Sequence, residues 1–312
     1  MKAGILLPHL GDYATRENIL YIAKEAEKEG LDSIWVLERL LWPLKPQTLA
    51  AGLPNGTLPV EYQNVFEPLT TLTYLAGNTE RISLGTSLID MLFHNPVVLA
   101  KRFATLDVLS DGRLIAGLGI GWSKDEYEAS GIPYKDRGAK ADEFLQILNR
   151  IWTNDLVEYK GEYYSIPASK IGPKSLQKPR PPILLGGSSP KTFSRILDYA
   201  DGWIPVAGFR PLAQLEGDIN GLREDARKAN KDPSKVRIFV LTYPYVVDPS
   251  PTSSSEQQRL PMTGTIDQIG SDIEQIKAMD VEHIIFGHVF SPIAKNMDKM
   301  IEITKQLASF AK

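Results

Sequence analysis

The cluster Gly186-Gly187-Ser188-Ser189 is the most interpretable candidate binding site in this 312-residue sequence. Two glycines let a phosphate approach the main chain, and the N–H groups of a helix beginning at Ser189-Pro190 would favour an anion. Ser188 and Ser189 add hydroxyl donors. A purely structural alternative is a tight left-handed turn at the glycines, with Ser189 as an ordinary N-cap. The sequence leaves both interpretations open.

A second glycine cluster spans residues 117–121 and includes Gly119-Ile120-Gly121. Its spacing lacks the full G-x-G-x-x-G fingerprint, and no acidic residue follows at the end of a second strand about 20 residues later, so a dinucleotide site is disfavoured. The remaining functional interpretation is that these small residues let a flat ring lie against the backbone. A barrel strand that needs small residues for packing explains them equally well.

Four residues offer proton-transfer or substrate-binding chemistry, namely His9, Glu38, Arg39 and Glu67. Glu38-Arg39 can also be a solvated ion pair, and Glu67 can be the cap of a helix beginning at Pro68. The aromatic residue Trp42 lies in the long segment after the second strand, where it favours a folded pocket wall.

The remaining histidines and the absence of cysteine exclude several chemistries. His94 is expected in a loop before Asn95, and His283 at the surface before the last strand. No HxH or HExxH spacing occurs, so no metal site is predicted. There are no cysteines, which excludes disulfides and thiolate catalysis. Neither a GxSxG motif nor a P-loop is present.

Residues 81–122 predict a parallel strand–helix–strand unit. The apolar runs Ile82–Leu88 and Leu114–Gly119 flank an amphipathic helix in which Asn95 is the expected N-cap and Pro96 the first residue. Six further apolar runs alternate with helices, which favours a closed (β/α)8 barrel over an open sheet. The predicted strands are Gly4–Pro8, Ser33–Leu37, Ile82–Leu88, Leu114–Gly119, Ile183–Gly186, Gly202–Val206, Val236–Leu241 and Glu282–Phe286.

Other local patterns complete the prediction. Insertions follow strands two, four and seven, and Val157–Ile166 in the second of them reads as a β-hairpin. Residues 265–268, Thr-Ile-Asp-Gln, match a capping box, and a last helix is expected from about Pro292 to Ala308. In such a barrel the active site lies at the carboxyl ends of the strands. The segments 38–66 and 244–264 are expected to form the substrate pocket and a lid.

The composition is that of an ordinary globular protein. Hydrophobic residues make up 43% and charged residues 23% of the chain, and the net charge is −3. A mildly acidic chain is not expected to bind nucleic acid or an anionic membrane. No signal peptide or long apolar segment is recognised, so a cytoplasmic protein is expected, with residues 1–312 forming a single barrel domain.

Taken together, these motifs resemble the bacterial-luciferase-like family of flavin and deazaflavin oxidoreductases. The likeness runs almost from end to end of the chain, and the chain is most similar to the subgroup that depends on coenzyme F420. It is carried by residues 4–8 (GILLP), 30–36 (GLDSIWV), 67–69 (EPL), 79–87 (TERISLGTS), 95–97 (NPV), 104–113 (ATLDVLSDGR), 117–122 (GLGIGW), 137–138 (RG), 186–187 (GG) and 200–203 (ADGW).

The resemblance implies a (β/α)8 barrel, usually a homodimer, that holds a flavin-like ring over the strand ends. It places a non-proline cis peptide bond at Ser87–Leu88, which would mark the cofactor site. The acidic–histidine pair of the family falls on Glu38-Arg39, so Glu38 or His9 would have to donate a proton. The remaining assignments are Ser87, Leu88, Gly119, Ile120 and Gly121 for the ring, Gly186, Gly187, Ser188 and Ser189 for the phosphate, and Arg39, Trp42 and Glu67 for the substrate.

The expected function is hydride transfer between coenzyme F420 and an unidentified small organic substrate. An FMN-dependent monooxygenase that uses oxygen on the same barrel is the first alternative. A non-catalytic flavin-binding barrel is the second, because arginine stands in place of the histidine at position 39.

Overall fold

The structure, a computed structural model, describes residues 1–49, 56–247 and 259–312. In these residues, parallel strands occupy eight positions of a closed barrel, because the first strand pairs with the last and the sixth pairs with the fifth and seventh. The predicted (β/α)8 barrel is therefore confirmed. The barrel strands are β1 (Lys2–Leu6), β2 (Ser33–Val36), β3 (Ser83–Thr86) with its continuation β4 (Ile89–Asp90), β5 (Leu114–Gly119), β8 (Ile183–Leu185), β9 (Gly202–Trp203) with its continuation β10 (Val206–Ala207), β11 (Arg237–Thr242) and β14 (His283–Phe286).

The helices pack their apolar faces outside the barrel and begin at residues suited to capping. Asn95 accepts the N–H groups of Val97 and Val98 ahead of Pro96, and Thr265 forms the predicted capping box with Gln268. The helices are α1 (Arg16–Lys28), α2 (Pro68–Ala76), α3 (Pro96–Leu109), α4 (Lys124–Ala129), α5 (Arg137–Thr153), α6 (Pro190–Tyr199), α7 (Leu212–Lys228), α8 (Ile266–Ala278) and α9 (Met297–Ala311).

Three elements differ from the sequence prediction. The sixth strand is interrupted at Ile204-Pro205, where proline removes a donor from the ladder. The last helix does not begin at Pro292: a 3-10 turn covers Pro292–Lys295, and Asn296 then caps α9. The insertion after strand seven, predicted as a loop, contains a parallel pair, β12 (Tyr245–Val246) with β13 (Thr263–Gly264). The predicted hairpin is confirmed as β6 (Val157–Lys160) and β7 (Ser165–Ser169).

Large apolar side chains and a pair of polar ones fill the inside of the barrel. Trp35 packs edge-on against Phe239, with ring centroids 5.8 Å apart. The prediction that His283 lies at the surface is wrong, because its side chain points into the barrel, where it is 2% exposed. Its Nε2 lies 2.6 Å from Ser33 Oγ, and burial lowers its pKa to about 3. His283 is therefore a neutral part of the barrel core.

None of the helices in the described ranges is both long and apolar enough to cross a bilayer.

Candidate active site

A cavity of about 620 Å³ opens at the carboxyl ends of the barrel strands. Its floor and walls come from residues that follow four different strands: Glu38 after β2, Ser87 and Leu88 after β3, Trp122 after β5 and Tyr243 after β11. This is the end of a (β/α)8 barrel at which active sites lie. The cavity is therefore the candidate active site.

The peptide bond between Ser87 and Leu88 is cis, as the resemblance implied. Strand β3 ends just before it, and the chain then continues as β4, which pairs with β5. Ser87 Oγ is buried and has no hydrogen-bond partner among the described residues. Since both residues line the cavity, this bulge presents a free hydroxyl group and an apolar side chain to a ligand.

The Leu88 side chain covers the glycines at the ends of the two neighbouring strands. A Cβ atom on Gly186 would overlap Leu88 Cδ1, and one on Gly119 would lie 3.3 Å from that carbon and 2.8 Å from Asp90 Oδ1. A Cβ atom on Gly117 would overlap the main-chain oxygen of Thr86. The packing interpretation therefore accounts for these glycines, and the idea of an open backbone floor for a ring at Gly119 is not supported.

Replacement of Gly117 by alanine is expected to destabilise the protein strongly. The added methyl group meets backbone that cannot rotate away, and overpacking of this kind costs about 3 kcal/mol. Gly217→Ala in α7 is the matched control, because nothing lies within 4 Å of the added atom and a helical glycine gains about 0.5–1 kcal/mol on this change. Urea unfolding measures both free energies, and equal effects of the two changes would contradict the packing argument.

Glu38 is fixed by hydrogen bonds at both carboxylate oxygens. The N–H group of Asp90 donates to Oε2 at 2.8 Å, and His94 Nε2 lies 2.8 Å from Oε1. The side chain is only 4% exposed. Glu38 therefore reaches the cavity wall with both carboxyl oxygens already hydrogen-bonded, which does not favour the predicted role of proton donor.

Asp90 lines the cavity two residues after Leu88 and is the residue that sequence reasoning missed. Burial raises its pKa to about 7, opposed by the positive charge of Arg39 and assisted by the negative charges of Glu38 and Glu126. A hydrogen bond from the Gly121 N–H group acts in the opposite direction. A carboxyl group with such a pKa exchanges protons readily at neutral pH.

Arg39 lies between these acidic groups and an aromatic ring. Its guanidinium carbon is 4.8 Å from the centre of the Trp122 ring, and its Nη2 is 2.8 Å from Glu126 Oε2. Although this ion pair is close, its angles are poor, and Arg39 Nε and Nη2 have no well-aligned acceptor among the described residues. Arg39 lines the cavity, while its guanidinium is paired with Glu126; its predicted role in substrate binding stays a prediction.

His9 is held entirely by backbone. Its Nδ1 lies 2.8 Å from the Leu7 oxygen, and its Nε2 accepts the Leu37 N–H group at 2.9 Å. These bonds fix the tautomer that carries a proton on Nδ1. Burial lowers the pKa of the fully buried ring to about 4. Neither nitrogen is free to reach a substrate, so the geometry does not support the predicted role of His9 as proton donor. The imidazole instead connects the chain after β1 to the chain after β2 through backbone hydrogen bonds.

Aromatic side chains form the outer wall of the cavity. Tyr243 packs against Phe290 with ring centroids 4.7 Å apart and against Phe209 at 5.8 Å. Burial raises the pKa of Tyr243 well above its usual value, and the adjacent Tyr62 hydroxyl contributes in the same direction. Both phenols are therefore neutral, and this side of the cavity suits an apolar or aromatic group.

The glycine–serine cluster lies beside the cavity, at the start of α6. Gly187 adopts φ +95°, and Ser189 Oγ accepts the Thr192 N–H group at 3.1 Å, so the turn and N-cap of the structural interpretation are both present. Ser188 and Ser189 are nevertheless exposed ahead of a ten-residue helix. The phosphate site remains a prediction that this geometry permits.

Two predicted substrate residues do not line the cavity. Trp42 Nε1 donates to the Leu58 oxygen at 3.2 Å and thereby holds its own loop together. Glu67 caps α2 by accepting the Thr70 N–H group and pairs with Arg102 at 3.1 Å on the surface. The capping alternative thus describes Glu67.

The remaining predicted positions are two residues after β5 and the two long segments, parts of which lie outside the described residues. Ile120 accepts a hydrogen bond from the Tyr127 hydroxyl group, and Gly121 turns the chain with φ +71°. Leu58 and Tyr62, from the segment after β2, do line the cavity. Residues 50–55 and 248–258 lie outside the described residues, so the predicted lid is not tested. Across the described ranges, no group of three potential metal ligands comes together.

Comparisons with known proteins identify the class. Residues 1–307 match the family described as luciferase-like monooxygenase. The chain therefore belongs to the luciferase-like family, which its sequence motifs resemble. An uncharacterised protein of Mycobacterium tuberculosis is 35% identical over 184 residues, which cover 58% of this chain and 65% of that relative. An F420-dependent glucose-6-phosphate dehydrogenase of Mycolicibacterium gilvum is 28% identical over 277 residues, covering 86% of this chain and 77% of that enzyme.

Solved structures share the fold. An F420-dependent secondary alcohol dehydrogenase in complex with an F420-acetone adduct has a TM-score of 0.80 and 21% identity, covering 100% of this chain and 99% of that chain. A monooxygenase from Streptomyces bottropensis has a TM-score of 0.79 and 20% identity, with 99% and 98% covered. At such identities these likenesses establish the barrel alone. The chain is thus a barrel of the luciferase-like family, one relative of which is named as F420-dependent.

Proposed function

We propose that this protein is a coenzyme F420-dependent oxidoreductase that acts on an uncharged, largely apolar organic substrate. The observation that supports this proposal is the cavity at the strand ends, where the Ser87–Leu88 bulge faces a wall of aromatic side chains. The F420-dependent relative that aligns with 86% of the chain supports the choice of cofactor. The homodimer is retained as a prediction.

The side chains present fit a deazaflavin. Ser87 Oγ is a buried hydroxyl without a partner in the described residues, so it can bond to a polar edge of the ring. Leu88 offers an apolar contact beneath the ring. The exposed Ser188 and Ser189 precede a helix N-terminus, where a phosphate is favoured by the main-chain N–H groups.

The charges around the cavity argue for a substrate without a phosphate or carboxylate. Glu38, Asp90 and Glu126 surround Arg39, whose guanidinium already lies 2.8 Å from Glu126. An anionic substrate would therefore meet more negative than positive charge in this part of the molecule. The aromatic wall of Tyr62, Tyr243 and Phe290 instead favours an apolar body with one polar reacting group.

When bound, the cofactor supplies or accepts the hydride. The protein contributes orientation and the exclusion of water. The aromatic wall confines the substrate against the bulge, and Ser87 and Leu88 hold the ring from the barrel side. Glu38, bonded at both oxygens, keeps β4 in place behind the bulge.

Titration of the purified protein with oxidised F420 and with FMN tests the proposal. We expect saturable binding of F420, measured by fluorescence, and at least tenfold weaker binding of FMN. Tight FMN binding with no F420 binding would overturn the proposal in favour of the oxygen-dependent alternative. Binding without turnover of any ketone or alcohol would favour a non-catalytic barrel.

Ser188→Asp is expected to weaken F420 binding about tenfold or more, because it puts a negative charge where the phosphate would lie. A deazaflavin that lacks the phosphate should bind equally to both forms. Ser165→Asp in the β6–β7 hairpin is the matched control, since this exposed serine lies on a separate two-stranded sheet. Equal weakening by both changes, or none by Ser188→Asp, would contradict the phosphate site.

A further inference from the structure

We propose that Asp90, carried on the short strand β4, is the acid–base residue of this active site and exchanges a proton with the oxygen of the substrate. The proposal rests on the proposed function and assigns a role to a side chain of this chain. It replaces the two residues on which the sequence had focused, Glu38 and His9.

The position of Asp90 is set by the residues around the bulge. Its residue pair on β5 is Gly119, and its N–H group donates to Glu38 Oε2 at 2.8 Å. Glu38 is in turn held by His94 at 2.8 Å. The absence of a side chain on Gly119 leaves room for the carboxyl group, because a Cβ atom there would lie 2.8 Å from Asp90 Oδ1. Asp90 is therefore placed at the cavity by neighbours on three elements.

The alternatives in the cavity are committed to other contacts. Both oxygens of Glu38 accept hydrogen bonds, and both nitrogens of His9 bond to backbone. Tyr62 and Tyr243 have raised pKa values and hold their protons at neutral pH. Asp90 is a cavity carboxyl group whose pKa burial raises to about 7.

Charged and titratable groups from each neighbouring element set this behaviour. Burial contributes most to the raised pKa of Asp90, about 7, and Glu38 after β2 and Glu126 of α4 add to it. Arg39 lowers the pKa, and so does the Gly121 N–H group after β5. Tyr127 of α4, whose pKa is raised, faces Asp90 as a neutral phenol. His94 is turned toward Glu38.

The chemistry balances with one proton from Asp90. Reduction of a ketone adds a hydride to the carbonyl carbon and a proton to the carbonyl oxygen. The reduced deazaflavin is the source of the hydride and is oxidised. The Asp90 O–H bond breaks, its proton joins the substrate oxygen, and an alcohol and the Asp90 carboxylate result. Water returns the proton before the next turnover, and the same carboxylate accepts the proton when an alcohol is oxidised.

The test compares wild-type protein with Asp90→Asn, which has the shape of protonated aspartic acid without its acidic proton. Asp155→Asn is the control, because this carboxylate is exposed after α5, remote from the strand ends. The first measurement uses the protein without cofactor: infrared difference spectra follow the carbonyl band of protonated carboxyl groups across the neutral pH range. We expect a band that disappears with a midpoint near pH 7 in wild type and in Asp155→Asn, and that is absent in Asp90→Asn.

The second measurement is the rate of reduction of an apolar ketone with reduced F420. We expect kcat to fall about 100-fold or more in Asp90→Asn, the size typical of a lost general acid. The alkaline fall of the wild-type rate near pH 7 should vanish with it, while Asp155→Asn keeps both. F420 affinity should change less than threefold.

The outcomes separate the two proposals. No carboxyl titration near neutrality in wild type, or a titration that survives in Asp90→Asn, would overturn the assignment of Asp90. Unchanged kcat in Asp90→Asn would do the same. Failure of F420 to bind would overturn the proposed function alone, since the infrared titration needs no cofactor.

Discussion

Arg39→Met is expected to lower the free energy of unfolding by about 3–5 kcal/mol at neutral pH. Arg39 is 9% exposed and its partner Glu126 is 1% exposed, so removal of the cation leaves a buried carboxylate without its countercharge. Removal of one member of a buried ion pair is costly for this reason. The methionine keeps most of the apolar contact with Trp122, which limits the loss from packing.

A double-mutant cycle with Glu126→Gln separates the charge effect from other losses. Glu126→Gln leaves the amide able to bond to the Leu40 main chain, which now meets Oε1 at 2.9 Å. We expect Arg39→Met to cost much less in the Glu126→Gln background, by about 2 kcal/mol or more. Urea unfolding of the four proteins gives the coupling. Additive losses would show that the guanidinium stabilises the fold by packing alone.

The same substitution has a consequence for catalysis. Arg39 is the charge that lowers the pKa of Asp90, so its loss is expected to move that pKa upward. The alkaline limit of activity should therefore shift to higher pH in Arg39→Met. An unchanged limit in a folded variant would show that Arg39 does not act on the carboxyl group of Asp90.

The barrel was predictable because its signals are local. Each helix shows its apolar face within a few turns, and Asn95 with Pro96 or Thr265 with Gln268 mark helix starts by their own side chains. The cis bond at Ser87–Leu88 followed from the family resemblance. His283 shows the limit of such reasoning: successive side chains of a strand lie on opposite faces, and the sequence does not mark whether Glu282 or His283 lies inside the barrel.

The site was less predictable because its chemistry depends on distant contacts. Asp90 is an ordinary aspartate in the sequence, and only the fold brings Glu38 to its N–H group and Glu126 near its carboxyl group. The function of the glycines could not be read from the sequence for the same reason. Gly119 and Gly186 could serve a ligand or a neighbouring side chain, and the Leu88 side chain that occupies the space comes from the bulge between β3 and β4.

Stability is expected to fall steeply as the pH is lowered from 6.5 toward 4. Burial lowers the pKa of His9 to about 4 and that of both His283 and His288 to about 3, whereas the unfolded chain protonates histidine near 6.5. In this window the unfolded state binds three protons that the folded state does not, so acid favours unfolding. Asp90 acts in the opposite sense, because the folded state retains its proton up to about pH 7.

The net uptake from these four groups is therefore about two protons near pH 5, equivalent to about 3 kcal/mol of stability per pH unit. Urea unfolding at several values between about pH 5.3 and 6.2 measures this slope, at least about one unit above the ordinary pKa of glutamate and aspartate. Two variants change it in opposite directions. His288→Gln, in which the amide can still donate to Thr304 Oγ1, removes one histidine and should reduce the slope by about half.

Asp90→Asn should instead increase the slope by about half, because the proton that the wild-type protein releases on unfolding is no longer there. A slope that stays the same in both variants would show that neither group is shifted in the folded state. If only His288→Gln changes it, the histidines are buried and neutral while Asp90 is an ordinary carboxylate, and the active site lacks an acid. This measurement reads the protonation of Asp90 from the equilibrium between the folded and unfolded chain, independently of any cofactor or substrate.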